Sequence, residues 1–413
     1  MNRQLQKYLK NRATLSPWKI DGTSRTNFAA AIIIPALAER GTLPSTLDSL
    51  CLNSPEYLAQ TLVVIIINNR ADISADQFAD NQKSIDWLRS NPYPQLNLVW
   101  IDASSPGLEL PAKEGVGLAR KIGFDSSLQW LDWKVEPLLI SLDADTLVDR
   151  DYLVTIFDHF AVSKNRAVVI PFRHQSVSNL KQETAIRHYE LYLRSYLFGL
   201  QVAGSPYAYH SIGSTFVCRA EAYIRAGGMN RRCGGEDFYF LQQLAKTSGI
   251  AMVNGTVVHP SSRFSVRVPF GTGRAVQSQV EEGTVLFHFV AAKEFKVLKE
   301  WLELINCQLD SSADKINQYA LKISPVLYQF LAELNFVQVW QKLQNNHPSR
   351  KQRLAAFHDW FDALRTRQLL TRIVSNSNSS AEEIVADLLN WGGYRGGEKE
   401  VDQLKLLESL QGV

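Results

Sequence analysis

Three short runs in the first half of the chain are apolar from end to end: Ala29-Ala30-Ala31-Ile32-Ile33-Ile34, Leu62-Val63-Val64-Ile65-Ile66-Ile67 and Leu138-Leu139-Ile140. A strand with one wet face alternates polar and apolar residues, and these do not. Continuous runs rich in Ile and Val belong to strands covered on both faces. Helical spacing separates them, at 43–50, 77–90 and 113–123. The alternation predicts a parallel sheet flanked by helices. Further strands are predicted at 96–102, 167–171 and 211–218, with Pro35 closing the first one. Stretch 251–259 reads as a hairpin turning at Asn254-Gly255.

In sheets of this kind ligands bind beyond the carboxyl ends of the strands. Glu39, Asn68, Asp102, Asp143 and Asp145 fall at or just past those ends. The most informative is the run into Asp143-Ala144-Asp145. Residues i and i+2 of an extended segment share a face, so two carboxylates repel there. A hard divalent cation, Mn²⁺ or Mg²⁺, makes such a pair favourable and would bring a diphosphate with it. A solvated Asp-x-Asp turn is the competing reading.

The chain has 413 residues, too many for one ordinary core. Strand-like runs stop near residue 290, and Leu, Trp, Lys, Glu and Gln then recur at helical spacing. The sequence thus divides into an N-terminal arm at 1–27, an α/β domain at 28–290 and a helical region at 291–413. Apolar faces in the last suit homo-oligomer formation or acceptor docking. A net charge of +3 gives no footprint for nucleic acid. The four scattered cysteines read as reduced thiols, which points to a cytoplasmic protein. No apolar run reaches transmembrane length. Residues 3–12 form a basic amphipathic stretch, either solvated or in peripheral contact with a membrane surface. Aromatic positions Tyr189, Tyr192 and Tyr196 within 182–199 read as core packing.

The order of these features resembles the GT-A fold of nucleotide-sugar-dependent glycosyltransferases, and within it glycosyltransferase family 2. Pro35-Ala36-Leu37-Ala38-Glu39 stands where that family has Pro-x-x-Asn-Glu, with Ala38 in place of Asn. Asn68-Asn69-Arg70 replaces a frequent Asp-Asp-Gly-Ser. Gly115-x-x-x-Ala119-Arg120-Lys121-x-Gly123 resembles Gly-x-x-x-Ala-Arg-Asn-x-Gly. Asp143-Ala144-Asp145 resembles the DxD motif, Gly213-Ser214-Thr215-Phe216 the acceptor-side strand, and Gly235-Glu236-Asp237 the Glu-Asp motif. The resemblance covers about 28–275.

It implies a Rossmann-like, mostly parallel sheet with a C-terminal all-α appendage. It implies transfer of a sugar from a nucleoside-diphosphate donor to a hydroxyl of a glycan, lipid or small-molecule acceptor, with inversion as in family 2 generally; retention is the alternative, since retaining GT-A enzymes share the DxD and the histidine. Asp237 is then the base, with Glu236 beside it. Asp143, Asp145 and His259 are the implied metal ligands. A hydrogen-bonded structural role is the other reading of His259. The donor would contact Pro35, Glu39, Asn68, Lys113, Arg120, Asp143, Arg267 and Arg274. Arg263, Arg267 and Arg274 lie in one loop with Gly271 and Gly273, suited to phosphate or merely solvated. The Gln-x-x-Arg-Trp of processive synthases is absent after Asp237, which implies a non-processive enzyme. A sugar-phosphate nucleotidyltransferase and an inactive binding scaffold are the alternatives.

Overall fold

A computed structural model of the protein describes residues 3–23, 25–264, 271–374 and 379–413. Contacts divide it into two compact units. The first holds 1–183, 209–277 and 412–413; the second holds 184–208 and 278–411.

The strands of the first unit are β1 (Ile20–Asp21), β2 (Ala30–Ala36), β3 (Thr61–Asn68), β4 (Asn97–Ala103), β5 (Leu138–Ser141), β6 (Leu147–Val148), β7 (Ala167–Val169), β8 (Phe216–Arg219), β9 (Ala251–Met252) and β10 (Val258–His259). Eight of them form one sheet in the order β1-β4-β3-β2-β5-β8-β7-β9. Strands β4, β3, β2 and β5 run parallel at its centre. β8 is antiparallel to both neighbours, and β9 is parallel to β7. β6 and β10 pair separately.

Helices α1 (Arg3–Asn11), α2 (Leu43–Cys51), α3 (Pro55–Gln60), α4 (Ala75–Arg89), α5 (Val116–Ser127) and α6 (Tyr152–Val162) interleave with the first strands. α7 (Leu180–Val202) crosses the division between units. α8 (Ala220–Ala226), α9 (Glu236–Ser248) and α10 (Thr272–Gln277) complete the first unit. The apolar runs are buried as expected. Ile33, Val64 and Ile66 share a cluster with Leu118 and Ile122 of α5. Ile32, Ile34, Val63 and Ile65 point the other way along the strands and are equally buried. The helix can lie this close because Gly123 has no side chain. A Cβ there would come within 2.5 Å of Ile66 Cδ1 and 2.6 Å of Ile33 Cγ2.

Pro35 does not end β2, which runs on through Ala36. Leu142 N donates to Ile33 O on the β5 side, so the Pro35 nitrogen faces that side too. β5 has stopped at Ser141, and the missing N–H costs no ladder bond. The expected hairpin at 251–259 is absent. β9 extends the large sheet beside β7, and β10 pairs with β6 instead. The strand expected at 211–218 is shortened to β8. The amphipathic α1 spends its apolar side inside this unit, where Leu5 and Tyr8 are buried.

The second unit is helical and takes in the later part of α7, which the sequence pattern places in the α/β domain at 28–290, then α11 (Ala292–Cys307), α12 (Ala313–Ile323), α13 (Pro325–Glu333), α14 (Phe336–Asn346), α15 (Arg350–Trp360), α16 (Ala363–Ile373), α17 (Ala381–Trp391) and α18 (Glu400–Leu410). Its core centres on Trp301, Phe336, Trp340, Phe357 and Phe361, all buried. Tyr196 packs against this core beside Phe295, whereas Tyr189 and Tyr192 lie against the partly exposed Phe287. No helix among the described residues is long and apolar enough to cross a membrane.

Candidate active site

The carboxyl ends of β2, β3 and β5 lie side by side because these strands are parallel neighbours in register. Each chain segment leaving that edge carries a polar side chain: Glu39 after β2, Asn68 at the end of β3, Asp143 and Asp145 after β5. Two guanidiniums organise the acids.

Arg120 is the first. It sits on α5 and is 2% exposed. Its Nη2 pairs with Asp143 Oδ1. Nη1 donates to Ser141 Oγ at 2.7 Å, and Nε to Glu236 Oε1 at 3.1 Å. Gly213 makes room for it, since a Cβ there would lie 2.4 Å from Nη2. Burial works against the charge on Arg120. The carboxylates of Asp143 and Glu236 outweigh burial and raise its pKa. The guanidinium therefore stays charged, as such buried pairs require.

Glu236 and Asp237 open α9 after Gly235, whose φ of 67° turns the chain into the helix. Asp237 Oδ1 accepts from Phe238 N at 2.7 Å. Burial, then the neighbouring Glu236, push the Asp237 carboxyl up to about 7. A carboxylate poised there suits general base work near neutral pH.

Arg263 is the second guanidinium. Its Nη2 bridges Glu39 Oε1 and Asp145 Oδ2, the latter at 2.8 Å. Thr42 Oγ1 also donates to Glu39. The loop before Arg263 is fixed by Gln175, whose Nε2 donates to Asp145 O at 2.8 Å and His259 O at 2.7 Å.

Two groups expected beside Asp145 as metal ligands point elsewhere. Asp143 faces Arg120. His259 Nε2 lies 3.0 Å from Asp149 Oδ1, and its Nδ1 lies 3.1 Å from Arg173 O. Both ring nitrogens lie against protein oxygens of Asp149 and Arg173, so neither is turned toward Asp145. Among the described residues no group of three His, Cys, Asp or Glu side chains is placed to hold a metal. The oxygen pair of Glu39 and Asp145 does converge on one positive centre, the Arg263 nitrogen. Oxygen donors around a stand-in cation suit a hard divalent ion, and at this pair the chemistry fits.

The remaining expected donor contacts are scattered in kind. Pro35 is buried within β2. Asn68 is buried, and its carbonyl accepts from Asn81 Nδ2 at 3.2 Å. Lys113 is exposed in a turn before α5. Arg274 lies on α10. Arg267 lies outside the described residues. Asp102 Oδ1 accepts from Ser104 N and Ser105 N and serves its own turn.

Three contributors had no signal in the sequence. Asn81 of α4 accepts from Ala38 N at 2.8 Å and donates to Asn68 O and Asn69 Oδ1. It fixes the exits of β2 and β3 together. Asp149 holds His259, and Gln175 holds the loop. Each acts across a long separation with no local spacing to betray it.

No family model matches the chain, and no curated protein matches it. Solved structures do show some likeness. S. aureus TarS 1–349, in complex with UDP-GlcNAc, is 11% identical with a TM-score of 0.39, over 92% of this chain and 91% of that one. The mannosyltransferase PcManGT from Pyrobaculum calidifontis, in complex with GDP-Man and Mn²⁺, is 15% identical with a TM-score of 0.38, over 99% and 92%. M. tuberculosis glucosyl-3-phosphoglycerate synthase is 16% identical with a TM-score of 0.35, over 67% and 81%. At this level of likeness the functional reading rests on the site's own residues.

Proposed function

We propose that the chain transfers a sugar from a nucleoside-diphosphate sugar to an acceptor hydroxyl, as a non-processive enzyme of the GT-A type. One observation carries this reading: Arg120 joins Asp143, at the end of β5, to Glu236, next to Asp237. Donor-side acid and candidate base thereby share one rigid hub.

Asp237 takes the proton of the acceptor hydroxyl. The hydroxyl oxygen attacks the anomeric carbon, the bond from that carbon to the diphosphate oxygen breaks, and the nucleoside diphosphate leaves. A single displacement of this kind inverts the anomeric centre. Glu236, bonded to Arg120, lies beside Asp237 and helps to raise its carboxyl. A divalent cation at Glu39 and Asp145 would supply charge neutralisation to the leaving diphosphate. Asn68, Arg267 and Arg274 are the further donor contacts in this reading, and the acceptor is a glycan, a lipid or a small polar molecule.

The test is a thermal-shift panel of UDP-, GDP-, dTDP- and CMP-sugars, each with and without Mn²⁺. A ligand that binds only the folded state raises its stability by mass action. One nucleotide should give a shift, Asp145→Asn should weaken it, and Asp237→Asn should keep it. Absence of a shift with every donor would overturn the reading.

A further inference from the structure

The feature that the reaction leaves unexplained is the position of Arg263. A donor site needs its positive charge directed at phosphate, yet this guanidinium is turned onto two of the protein's own carboxylates. Glu39 explains why. Its side chain is only 5% exposed, so water does not compensate its charge, and a buried carboxylate needs a cation. Asp145 is 20% exposed and Arg263 34%, so solvent reaches both of them more than it reaches Glu39. Both carboxylates bond the same nitrogen, Nη2. They converge on one point, as ligands of a single ion do. Arg120 is different: Asp143, Ser141 and Glu236 each take a separate nitrogen, and it is sealed from solvent.

We propose that Arg263 is an exchangeable stand-in for the divalent cation, seated between Glu39 and Asp145 until a cation displaces it. The exchange keeps Glu39 compensated at every stage. It also weakens the chain's affinity for free metal, because an ion must compete with a guanidinium already in place. The inference rests on the cation part of the reading above. Its test uses Mn²⁺ alone, so failure to transfer a sugar leaves it standing, and its own failure leaves transfer standing.

Mn²⁺ binding to the full chain is measured by titration calorimetry and by the loss of the free-ion electron paramagnetic resonance signal. Arg263→Gln should bind Mn²⁺ at least about tenfold more tightly than the wild type. The gain should vanish in Arg263→Gln/Asp145→Asn and in Arg263→Gln/Glu39→Gln. Arg263→Lys retains a cation for Glu39 and guards against loss of folding. It loses the planar fork that carries directed bonds, and should bind Mn²⁺ severalfold more tightly than the wild type. The proposal is overturned if neither single variant exceeds the wild type, or if the gain survives removal of Asp145.

Discussion

Arg120 Nε donates to Glu236 Oε1 at 3.1 Å, and that bond ties α5 to the first residue of α9. Side chains 116 positions apart become one unit, and Asp143 is attached to the same guanidinium. Removing the arginine leaves two carboxylates facing each other, one of them 6% exposed. Breaking a buried pair from one side costs about 3–5 kcal/mol. Arg120→Met should therefore lower stability by that order, read by urea denaturation. Arg120→Lys should recover only part of it, because a single ammonium does not reach three acceptors.

With Asp237 as the proposed base, both stability and rate should depend on pH. Its carboxyl is raised to about 7 in the folded chain, against an unfolded value of about 3.9. Between those values the folded state holds a proton that the unfolded state has released. Stability from this group is present in full below the unfolded value and is lost as pH rises through 7. Asp237→Asn carries no charge to desolvate, so it should exceed the wild type in stability at pH 8, by about 2 kcal/mol. The gap should close toward pH 4. The rate should move oppositely: kcat/KM rises through pH 7 as Asp237 ionises, and Asp237→Asn lowers it by roughly a hundredfold or more. Melting curves across pH decide the first part. An advantage of the variant that is the same at pH 5 and pH 8 would contradict it.

The central strands were legible because burial on both faces confines polar residues to their ends, and β2, β3 and β5 fall where the apolar runs do. At Asn254-Gly255 the chain does bend, with Gly255 at a φ of 102°, though no hairpin forms. The flanking strands were not legible. Each is two residues long, and such strands take whichever partner the tertiary fold brings alongside, here β7 and β6. At the site, the pattern around Arg120 pointed to a functional arginine, but its bond to Glu236 depends on how α5 and α9 pack. His259 shows the limit most clearly. It sits beside Asp145 in the backbone, through Gln175, while its ring turns to Asp149, 110 positions earlier.

Ala38 occupies a left-handed conformation with a φ of 52°. A Cβ strains such a backbone by roughly 1 kcal/mol, while Gly and Asn adopt it readily. The conformation is held because Ala38 N donates to Asn81 Oδ1. The family that the sequence resembles has Asn at this place, and the backbone here is of the kind Asn favours. Ala38→Asn and Ala38→Gly should each raise stability by about 0.5–1 kcal/mol, visible as a higher melting temperature. Asn81→Ala should act the other way, by about 1–3 kcal/mol, and should weaken donor binding as the exits of β2 and β3 loosen.

Lys121 stands where the same family has Asn, and its partner explains the difference. Nζ pairs with Asp125 Oδ2 at 2.9 Å, one helical turn along α5. Asp125 is fully buried and also accepts from Tyr8 Oη at 2.7 Å, Tyr223 Oη at 2.8 Å and Thr14 N at 2.7 Å. Donors from α1, α8 and the segment after α1 thus converge on one carboxylate. Lys121 supplies its balancing charge. Lys121→Met leaves that charge buried with neutral donors only and should cost about 3–5 kcal/mol. Tyr8→Phe removes one donor and should cost about 1–2 kcal/mol. Both should release α1 before the sheet unfolds. Limited proteolysis reads this directly: cleavage within 3–19 should rise many-fold in both variants, with the remaining chain intact. Protection of that segment equal to the wild type would show that apolar contacts of Leu5 and Tyr8 hold the arm without the charge.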